Sequence, residues 1–535
     1  MPAPTPDQTN TQRTATTVGS AGIDAETAGT RWPTPQPMQT TLIDDWLAIA
    51  PDGLVTIFSG KVELGTGVRT ALAQVVADEL DVSLASVRVV MGDTARTPNE
   101  GYTAGSKSVA TIWGSARHAA AEARQTLLAL AAQRLEAAPA NLLVVDGIVS
   151  RRDDSQRRVS YGALLAGGRF ERPVTGRAPL KAASDYRLVG SSAGRLDLTG
   201  KFTGAPSFVH DLRLPGMWHA RVVRPPSPGA TLRMLDDTAL RDIPGAQIVR
   251  LGNFVGVVAE REEQAIRAAR LLRPTWDAAP LLPAQETLYT TLRQQPTTDE
   301  IVQERGAVAD ALAGAATIVS ASYHQPYQAH ASLGPSCAVA RFDDDGGVSV
   351  WCSSQGVFPL RGALADLLDL PPERVRLIFQ EGAGCYGQNG ADDAAADAAL
   401  LARAVGRPVR VQWSREDEFA WEPKSPAMVI EARGGLDAQG AIVAWEYGVW
   451  TPSHANRPRR ALDLLAGQLA QGKLASPSNF FFGGQRNAPN DYTVPNTRVT
   501  VHWLARPPLR VSSMRSLGGA GNTFANESLM DELAL

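Results

Sequence analysis

The strongest restriction on the fold comes from a glycine-rich segment, residues 382–390, which joins a predicted strand to a predicted helix. The preceding residues, Val375–Phe379, are rich in branched and aromatic side chains, as in a strand. The following residues, Ala391–Val405, carry small and apolar side chains at helical spacing. A strand, a tight glycine loop and a helix in succession are typical of proteins in which strands and helices alternate. The alternation recurs along the chain, so the sequence predicts a multidomain α+β fold.

Changes in composition divide the 535 residues into segments. From the N-terminus these are a disordered leader (1–40), a first structured segment (41–150), an irregular connector (151–196), a second block (197–279), a linker (280–315) and a third block (316–535). The first structured segment is predicted to contain strands at 55–58 and 87–90, a helix at 68–80 and one long alanine-rich helix that ends near residue 135.

The three cysteines, Cys337, Cys352 and Cys385, are too few for a disulfide framework or for one iron–sulfur cluster. Iron–sulfur centres are therefore expected on another chain or on a part of the protein outside this sequence. The formal net charge of −3 argues against a nucleic-acid partner held by a general positive field. The sequence has no run of 18 apolar residues, which is the length that a membrane-spanning helix needs. These features predict a cytoplasmic protein.

The first candidate binding loop, residues 101–108, precedes the long alanine-rich helix. Free backbone N–H groups at a helix start, together with the hydroxyls of Thr103, Ser106 and Ser108, are suited to binding phosphate. The alternative is that these residues only cap the helix.

The second candidate loop contains Gly382, Gly384 and Gly387 in a G-x-G-x-x-G pattern, with Cys385 and Tyr386 between the glycines. This pattern also occurs in nucleotide-binding dehydrogenases. Acidic residues at the start of the next helix, such as Asp392, would repel a pyrophosphate and argue against that alternative. Both loops are explained if one elongated, phosphate-bearing cofactor contacts two domains.

Several longer motifs resemble the molybdenum-cofactor-binding large subunits of the xanthine dehydrogenase/aldehyde oxidase family. They lie at residues 60–70, 101–108, 197–217, 353–356, 382–387, 406–410 and 514–519. The early position of the first two motifs is similar to the rearranged subunits of the isoquinoline 1-oxidoreductase and nicotinate dehydrogenase group. The resemblance implies a molybdopterin-binding segment at 41–150, an α/β hammerhead-like domain at 197–279 and a truncated molybdopterin-binding domain at 316–535.

The resemblance also implies roles for individual residues. Gln355 is expected to approach an oxygen ligand of molybdenum, and Arg515 to stabilise negative charge on the substrate. No protein side chain is expected to bind the metal, and Cys385 is expected to be small and buried. The residues expected to contact the cofactor are Gly65, Thr66, Gly67, Thr103, Ser106, Ser108, Gly382, Gly384, Cys385, Tyr386 and Gly387. His330 is interpreted as structural.

The function that the resemblance implies is hydroxylation of an N-heteroaromatic substrate with oxygen from water. The implied cofactor is molybdopterin cytosine dinucleotide, and the implied partners are a small [2Fe-2S] subunit and a cytochrome or flavin electron acceptor. Peripheral association with the inner membrane is compatible with such a complex. Three alternatives stay open: an aldehyde oxidoreductase subunit, a nucleotide-dependent dehydrogenase built on residues 382–387, and a non-catalytic assembly chain.

The sequence departs from the family pattern at several positions. Thr66 replaces a glutamine that contacts the pterin, and Gly334 is found where a substrate-orienting glutamate is expected, which argues against purine recognition. Ser516 replaces a cysteine of carbon-monoxide dehydrogenases, which argues against that substrate. The Gly-Val-Gly-Glu motif with the catalytic glutamate does not occur in these residues. The apolar pattern from Phe524 to Leu535 ends without a helix cap, which predicts that the chain is a fragment.

Overall fold

The structure is a computed structural model that describes residues 42–279, 282–476 and 480–535. The predicted leader, residues 1–40, lies outside the described residues. The first part of the chain forms two small sheets around a helical pair. Its elements are β1 (Leu47–Ile49), β2 (Val55–Ser59), α1 (Val68–Leu80), β3 (Val87–Met91), α2 (Ser108–Gly114), α3 (Ala116–Leu135), β4 (Leu142–Val145), β5 (Ile148–Arg151), β6 (Arg158–Ser160) and α4 (Tyr161–Leu165).

The helix α1 connects the parallel strands β2 and β3, and its apolar side chains pack against α3. The prediction of one long alanine-rich helix is wrong, because the structure divides this segment into α2 and α3. The break lies at Ser115, whose hydroxyl donates a hydrogen bond to the carbonyl of Thr111 at 2.8 Å. A serine bonded to the preceding turn in this way bends helices.

The connector at 151–196 is largely irregular, as predicted, apart from short elements at its start. The next region contains the elements α5 (Leu198–Phe202), β7 (Trp218–Val223), β8 (Thr231–Asp236), β9 (Gln247–Leu251), β10 (Phe254–Ala259), α6 (Glu262–Leu271) and β11 (Arg273–Asp277). Every side chain of β10 is buried, which explains why this strand is a continuous apolar run rather than an alternating one.

The remaining elements complete two larger sheets. They are α7 (Leu288–Gln294), β12 (Thr297–Arg305), α8 (Val308–Ala313), β13 (Thr317–Gln325), β14 (Cys337–Phe342), β15 (Val348–Cys352), α9 (Val357–Leu368), β16 (Val375–Phe379), α10 (Ala391–Val405), β17 (Val409–Gln412), α11 (Arg415–Trp421), β18 (Met428–Leu436), β19 (Ile442–Pro452), α12 (Leu465–Gln471), β20 (Asn496–Leu504) and α13 (Gly519–Ala534).

A seven-stranded sheet has the order β16-β15-β14-β17-β7-β10-β9. It therefore combines strands of the predicted second block with strands of the predicted third block. The pair of β17 with β7 is parallel and joins the two sets directly. The proposed boundary between these blocks does not divide this sheet.

A five-stranded sheet has the order β12-β20-β19-β18-β13. The predicted linker at 280–315 is wrong for most of its length, because it contains α7, β12 and α8, and β12 pairs with β20. The side chains of β12 are mostly exposed at the sheet edge, so its composition is polar like that of a linker. Leu529 and Leu533 of α13 are buried, as the apolar pattern predicted, whereas Phe524 is exposed.

Across the described ranges, no helix combines the length and the apolar character that crossing a membrane requires.

Candidate cofactor site

Gln355 connects the first candidate loop to the third block. Its amide nitrogen donates to the carbonyl of Thr103 at 3.1 Å, and the backbone N–H of Thr103 donates to the carbonyl of Gln355 at 2.9 Å. On the other side, the Arg457 guanidinium donates to the Gln355 amide oxygen at 2.7 Å. Three segments far apart in sequence thus meet at one glutamine.

The first candidate loop is held in place by buried polar contacts. The hydroxyl oxygen of Thr103 accepts a hydrogen bond from the backbone of Val62 at 2.9 Å. The Lys61 ammonium donates to the carbonyls of Glu100 and Tyr102 at 2.6 and 2.9 Å, and burial lowers its pKa. These bonds shape the loop before any ligand is considered, so Thr103 has a structural task beside its predicted contact with the cofactor.

The other two predicted phosphate contacts are more accessible. Ser106 is exposed and has a left-handed backbone with φ of 57°, and Ser108 begins α2. Within the described part of the chain, neither hydroxyl takes part in a side-chain hydrogen bond. Both hydroxyls are therefore available to a ligand.

The turn of Gly65, Thr66 and Gly67 lies before α1 and is partly organised by Glu63. The Glu63 carboxylate accepts from the backbone N–H of Gly67 at 2.9 Å and from that of Arg69 at 3.0 Å. These two N–H groups are therefore occupied within the protein. Gly65 and Thr66 are exposed and remain accessible.

A chain of charges links this turn to the glycine loop. Arg195 donates to the carbonyl of Gly65 at 2.8 Å and pairs with Asp197. Lys201 bridges Asp197 at 2.7 Å and Glu381 at 2.5 Å, and Glu381 directly precedes the glycine loop. Pairing with Arg195 and Lys201 outweighs burial and lowers the pKa of Asp197.

The glycine loop packs against the segment that carries Arg515. The backbone N–H of Arg515 donates to the carbonyl of Tyr386 at 2.6 Å, and that of Gln388 donates to the carbonyl of Ser513 at 2.9 Å. The Arg515 guanidinium is exposed and lies 6.0 Å from the centre of the Tyr386 ring. The two residues after it, Ser516 and Leu517, both have left-handed φ values, which is a strained arrangement often found at functional sites.

A small cavity of about 10 Å³ lies where these loops meet, with room for about one water molecule. It is lined by Ser353, Ser354, Gln355, Gly387, Gln388, Asn389, Ala391, Asp392 and Arg457. Burial raises the pKa of Asp392 to about 6, although the carboxylate interacts with Ser354 and Arg457. The Gln388 amide oxygen and the Tyr102 hydroxyl are buried and have no hydrogen-bond partner among the described residues.

Cys385 is partly exposed, so the expectation that it is buried is wrong. Its thiol faces the carbonyl of Gly387 at 3.4 Å. The surrounding protein raises the pKa of the thiol by desolvation, so it stays protonated at neutral pH. Gly334 lies against the same loop, because a β-carbon there would be 2.9 Å from that of Ala383. A glutamate at residue 334 would therefore require the loop to move.

Several residues of this site were not predicted from the sequence. Arg457 lies in a loop without a recognisable motif, and only its basic character was visible in the sequence. His330 was interpreted as structural, and the structure adds its partners: the buried ring contacts the carbonyl of Ser513 at 2.9 Å and faces Glu422 at 3.7 Å. Burial lowers the pKa of His330 to about 4, and burial together with the neighbouring Glu418 raises the pKa of Glu422. Gln388 follows the glycine motif directly and could have been included on that ground.

Comparison with known families gives two matches, both to models described as molybdopterin cofactor-binding domain. They cover residues 8–205 and 293–457, which together are more than half of the chain. The two matched regions contain Gln355, Gly387 and Arg457, which line the small cavity, and Thr103, which is hydrogen-bonded to Gln355. The cavity and Thr103 together are called the crevice.

Two curated proteins are similar over most of this chain. A nicotinate dehydrogenase subunit of Pseudomonas putida is 43% identical over 499 residues, which are 91% of this chain and 41% of that protein. The beta subunit of isoquinoline 1-oxidoreductase from Brevundimonas diminuta is 28% identical over 549 residues, which are 91% of this chain and 68% of that protein. The chain thus spans less than half of the length of the first of these relatives.

Solved structures show the same fold at lower sequence identity. Aldehyde oxidoreductase from Desulfovibrio gigas has a TM-score of 0.51 and 19% identity, covering 67% of this chain and 43% of that chain. Quinoline 2-oxidoreductase from Pseudomonas putida 86 has a TM-score of 0.50 and 18% identity, covering 64% and 48%. At this level of identity the likeness concerns the fold alone.

Proposed function

Because the chain belongs to the molybdenum-cofactor-binding subunits of the xanthine dehydrogenase/aldehyde oxidase family, we propose that it is part of an enzyme that hydroxylates N-heteroaromatic compounds. The substrates are of the nicotinate or isoquinoline type, and the oxygen comes from water. The names of the two similar curated proteins support this substrate class. One structural observation carries the proposal: Gln355 is hydrogen-bonded to Thr103 of the first predicted loop and lines a cavity with Gly387 and Gln388 of the second.

The crevice has the chemical groups that a pterin cofactor requires. A pterin is a flat heterocycle with several hydrogen-bond donors and acceptors, and the buried Gln388 oxygen and Tyr102 hydroxyl lack partners among the described residues. Gly387 has no side chain, which lets the glycine loop pack directly against the backbone of Ser513 and so shapes this side of the crevice. The free hydroxyls of Ser106 and Ser108 suit the phosphates of a dinucleotide tail. The chemistry of these residues therefore suits the cofactor of this family, and the cavity of about 10 Å³ would have to widen to admit it.

The bound cofactor would supply the two-electron redox chemistry of the reaction. The protein contributes position and charge. With the cofactor bound, the Gln355 amide would donate a hydrogen bond to one of its oxygens, and Arg515 would stabilise negative charge on the substrate. The family's catalytic glutamate motif is not among these residues, so we place the general base outside this sequence, on a longer form of the chain or on a second chain. Arg515 is exposed, so its guanidinium is accessible to a substrate.

The nucleotide-dependent dehydrogenase is disfavoured by the same crevice. Asp392 and Asp393 lie buried in the first turn of α10, where negative charge would repel a pyrophosphate. An aldehyde substrate stays the second candidate, because the molybdenum-binding subunit PaoC of an Escherichia coli aldehyde oxidoreductase is 27% identical over 400 residues.

The finer features that we propose concern the complete enzyme. The cofactor is the cytosine dinucleotide form, a small [2Fe-2S] subunit receives the electrons, and a cytochrome or flavin accepts them next. The complex works in the cytoplasm, with or without peripheral contact to the inner membrane. The names of the two curated relatives as subunits of larger enzymes support a multi-subunit complex.

The test is purification of the complete complex from its native host, followed by metal and nucleotide analysis. We expect about one molybdenum per copy and release of cytidine monophosphate on acid hydrolysis. Nicotinate, isoquinoline and aldehydes are then compared as substrates in ¹⁸O-labelled water with an artificial electron acceptor. A complex without molybdenum, or a product whose oxygen comes from dioxygen, would contradict the proposal, and a preference for aldehydes would support the second candidate.

A further inference from the structure

Arg457 occupies the centre of the crevice, and its role is not assigned by the motifs of the sequence. Its guanidinium donates to the Gln355 amide oxygen at 2.7 Å and lies 5.1 Å from the centre of the Tyr102 ring. It also lines the small cavity together with Gln388 and Asp392. The arginine thus contacts the first candidate loop and the glutamine, and it shares the cavity with residues of the glycine loop.

The contacts of Gln355 determine which way its amide group points. A guanidinium carries only hydrogen-bond donors, so the group that faces Arg457 must be the amide oxygen. A backbone carbonyl only accepts, so the group that faces Thr103 must be the amide nitrogen. Rotating the amide by 180° would place a donor against a donor and an acceptor against an acceptor. The orientation therefore follows from the chemistry of the two neighbours.

The amide nitrogen of Gln355 has two hydrogens, and the contact with Thr103 uses one of them. Within the residues that the structure describes, the second hydrogen has no partner. Loss of Arg457 would remove one of the two neighbours that fix the amide, and only the Thr103 carbonyl would then oppose its rotation.

Arg457 is also a cation without a close counter-charge. No carboxylate of the described residues lies within 4 Å of its guanidinium, and Asp392 is the main acidic group that acts on it at longer range. Burial lowers the pKa of the guanidinium, but an arginine remains charged in proteins. The positive charge polarises the amide bond of Gln355 and makes its N–H a stronger donor.

We propose that Arg457 is a positioning residue, which holds the Gln355 amide with one N–H free to donate to the bound cofactor. This inference rests on the proposed function in one respect, because only that function identifies a cofactor as the group that accepts the free N–H of Gln355. The orientation of the amide itself depends only on contacts within this chain.

The first measurement uses the chain without cofactor and therefore does not depend on the proposed function. The variants Gln355→Met, Arg457→Met and the double variant are compared by urea unfolding. If the two side chains interact, the effects of the single substitutions do not add in the double variant. Additive effects would show that the two residues do not interact in solution, and the inference would then be wrong even if the complex contains molybdenum.

The second measurement uses the complete complex. We expect Arg457→Met to lower kcat about tenfold, with KM and molybdenum content close to wild type, because the donor is misaligned but the cofactor is still bound. Arg457→Lys keeps a donor and should recover part of the loss. Arg459→Met is the matched control, because Arg459 is an exposed arginine of the same loop, and it should behave as wild type.

The outcomes separate the two proposals. A wild-type complex without molybdenum overturns the proposed function, and the unfolding measurement then still decides whether Arg457 holds Gln355. Equal kcat values for Arg457→Met and Arg459→Met would overturn the positioning role of Arg457. Loss of molybdenum in Arg457→Met, without loss in Arg457→Lys, would assign the arginine to cofactor retention and would also overturn it.

Discussion

The α-carbon of Gly387 faces the carbonyl oxygen of Ser513 so closely that a β-carbon at residue 387 would lie 1.9 Å from that oxygen. The same carbonyl accepts a hydrogen bond from the backbone N–H of Gln388 and contacts the His330 ring. The contact joins the glycine loop to the segment that carries Arg515. Both predicted active-site segments are thus fixed relative to one another by one backbone approach that only glycine permits.

Substituting Gly387 with alanine should separate these two segments. Its φ of 136° is unfavourable for any residue with a side chain, and the new methyl group would clash with Ser513. We expect a loss of at least about 3 kcal/mol in the free energy of unfolding. The control is Gly440→Ala in the exposed turn between β18 and β19. That glycine also has a positive φ but has open space around it, so the cost should be about 1–2 kcal/mol. Equal losses, measured by urea unfolding, would mean that the close approach is not important.

The hydroxyl of Thr103 should contribute to stability even without a cofactor. Thr103→Val keeps the shape of the side chain but leaves the buried backbone N–H of Val62 without an acceptor. The expected cost is about 1–3 kcal/mol in the free energy of unfolding. Thr103→Ser retains the oxygen and is the matched control. If valine and serine are equally tolerated in urea unfolding, then Thr103 does not hold the loop, and its hydroxyl is free to bind a ligand.

Local patterns were sufficient to predict individual elements near the site. The strand Val375–Phe379 and the helix Ala391–Val405 have the predicted bounds, because alternation and helical spacing are properties of consecutive residues. The pattern failed for β12, because a strand at a sheet edge exposes most of its side chains and so lacks an apolar periodicity. The break at Ser115 was missed because alanine favours helix on both sides of it.

The site was predicted in its parts but not in its assembly. Thr103, Gln355 and the glycine loop were each recognised from motifs, since motifs are local. The contact of Gln355 with Arg457 joins residues 102 positions apart and has no local signal. The contact of His330 with Ser513 joins residues 183 positions apart, and nothing in the sequence around His330 indicated it.

Asp392 should make the stability of the chain decrease as the pH rises through the acidic range. Burial raises its pKa from 3.8 in the unfolded chain to about 6 in the folded chain. Between pH 3.8 and pH 6 the Asp392 carboxyl is ionised in the unfolded chain but still protonated in the folded chain. The free energy of unfolding therefore decreases by up to about 3 kcal/mol as the pH rises from 4 to 6. Asp392→Asn cannot ionise. The stability of this variant relative to wild type should therefore increase as the pH rises and level off above pH 6. A difference that does not change between pH 4 and pH 7 would show that the carboxyl is not desolvated as the structure indicates.

His454 should produce the opposite dependence on the acidic side of neutrality. The ring is fully buried, its Nε2 lies 2.9 Å from the Thr451 hydroxyl, and burial lowers its pKa to about 3. Because the unfolded chain binds a proton near pH 6.5 and the folded chain does not, this group stabilises the fold fully above pH 6.5 and progressively less below it. At pH 5 the loss should be about 2 kcal/mol. His454→Gln retains a polar group for Thr451 but does not titrate, so the decrease in stability between pH 7.5 and pH 5 should be smaller in this variant by that amount. Urea unfolding at these two pH values measures the difference, and equal decreases in the two proteins would mean that His454 is accessible to protons in the folded chain.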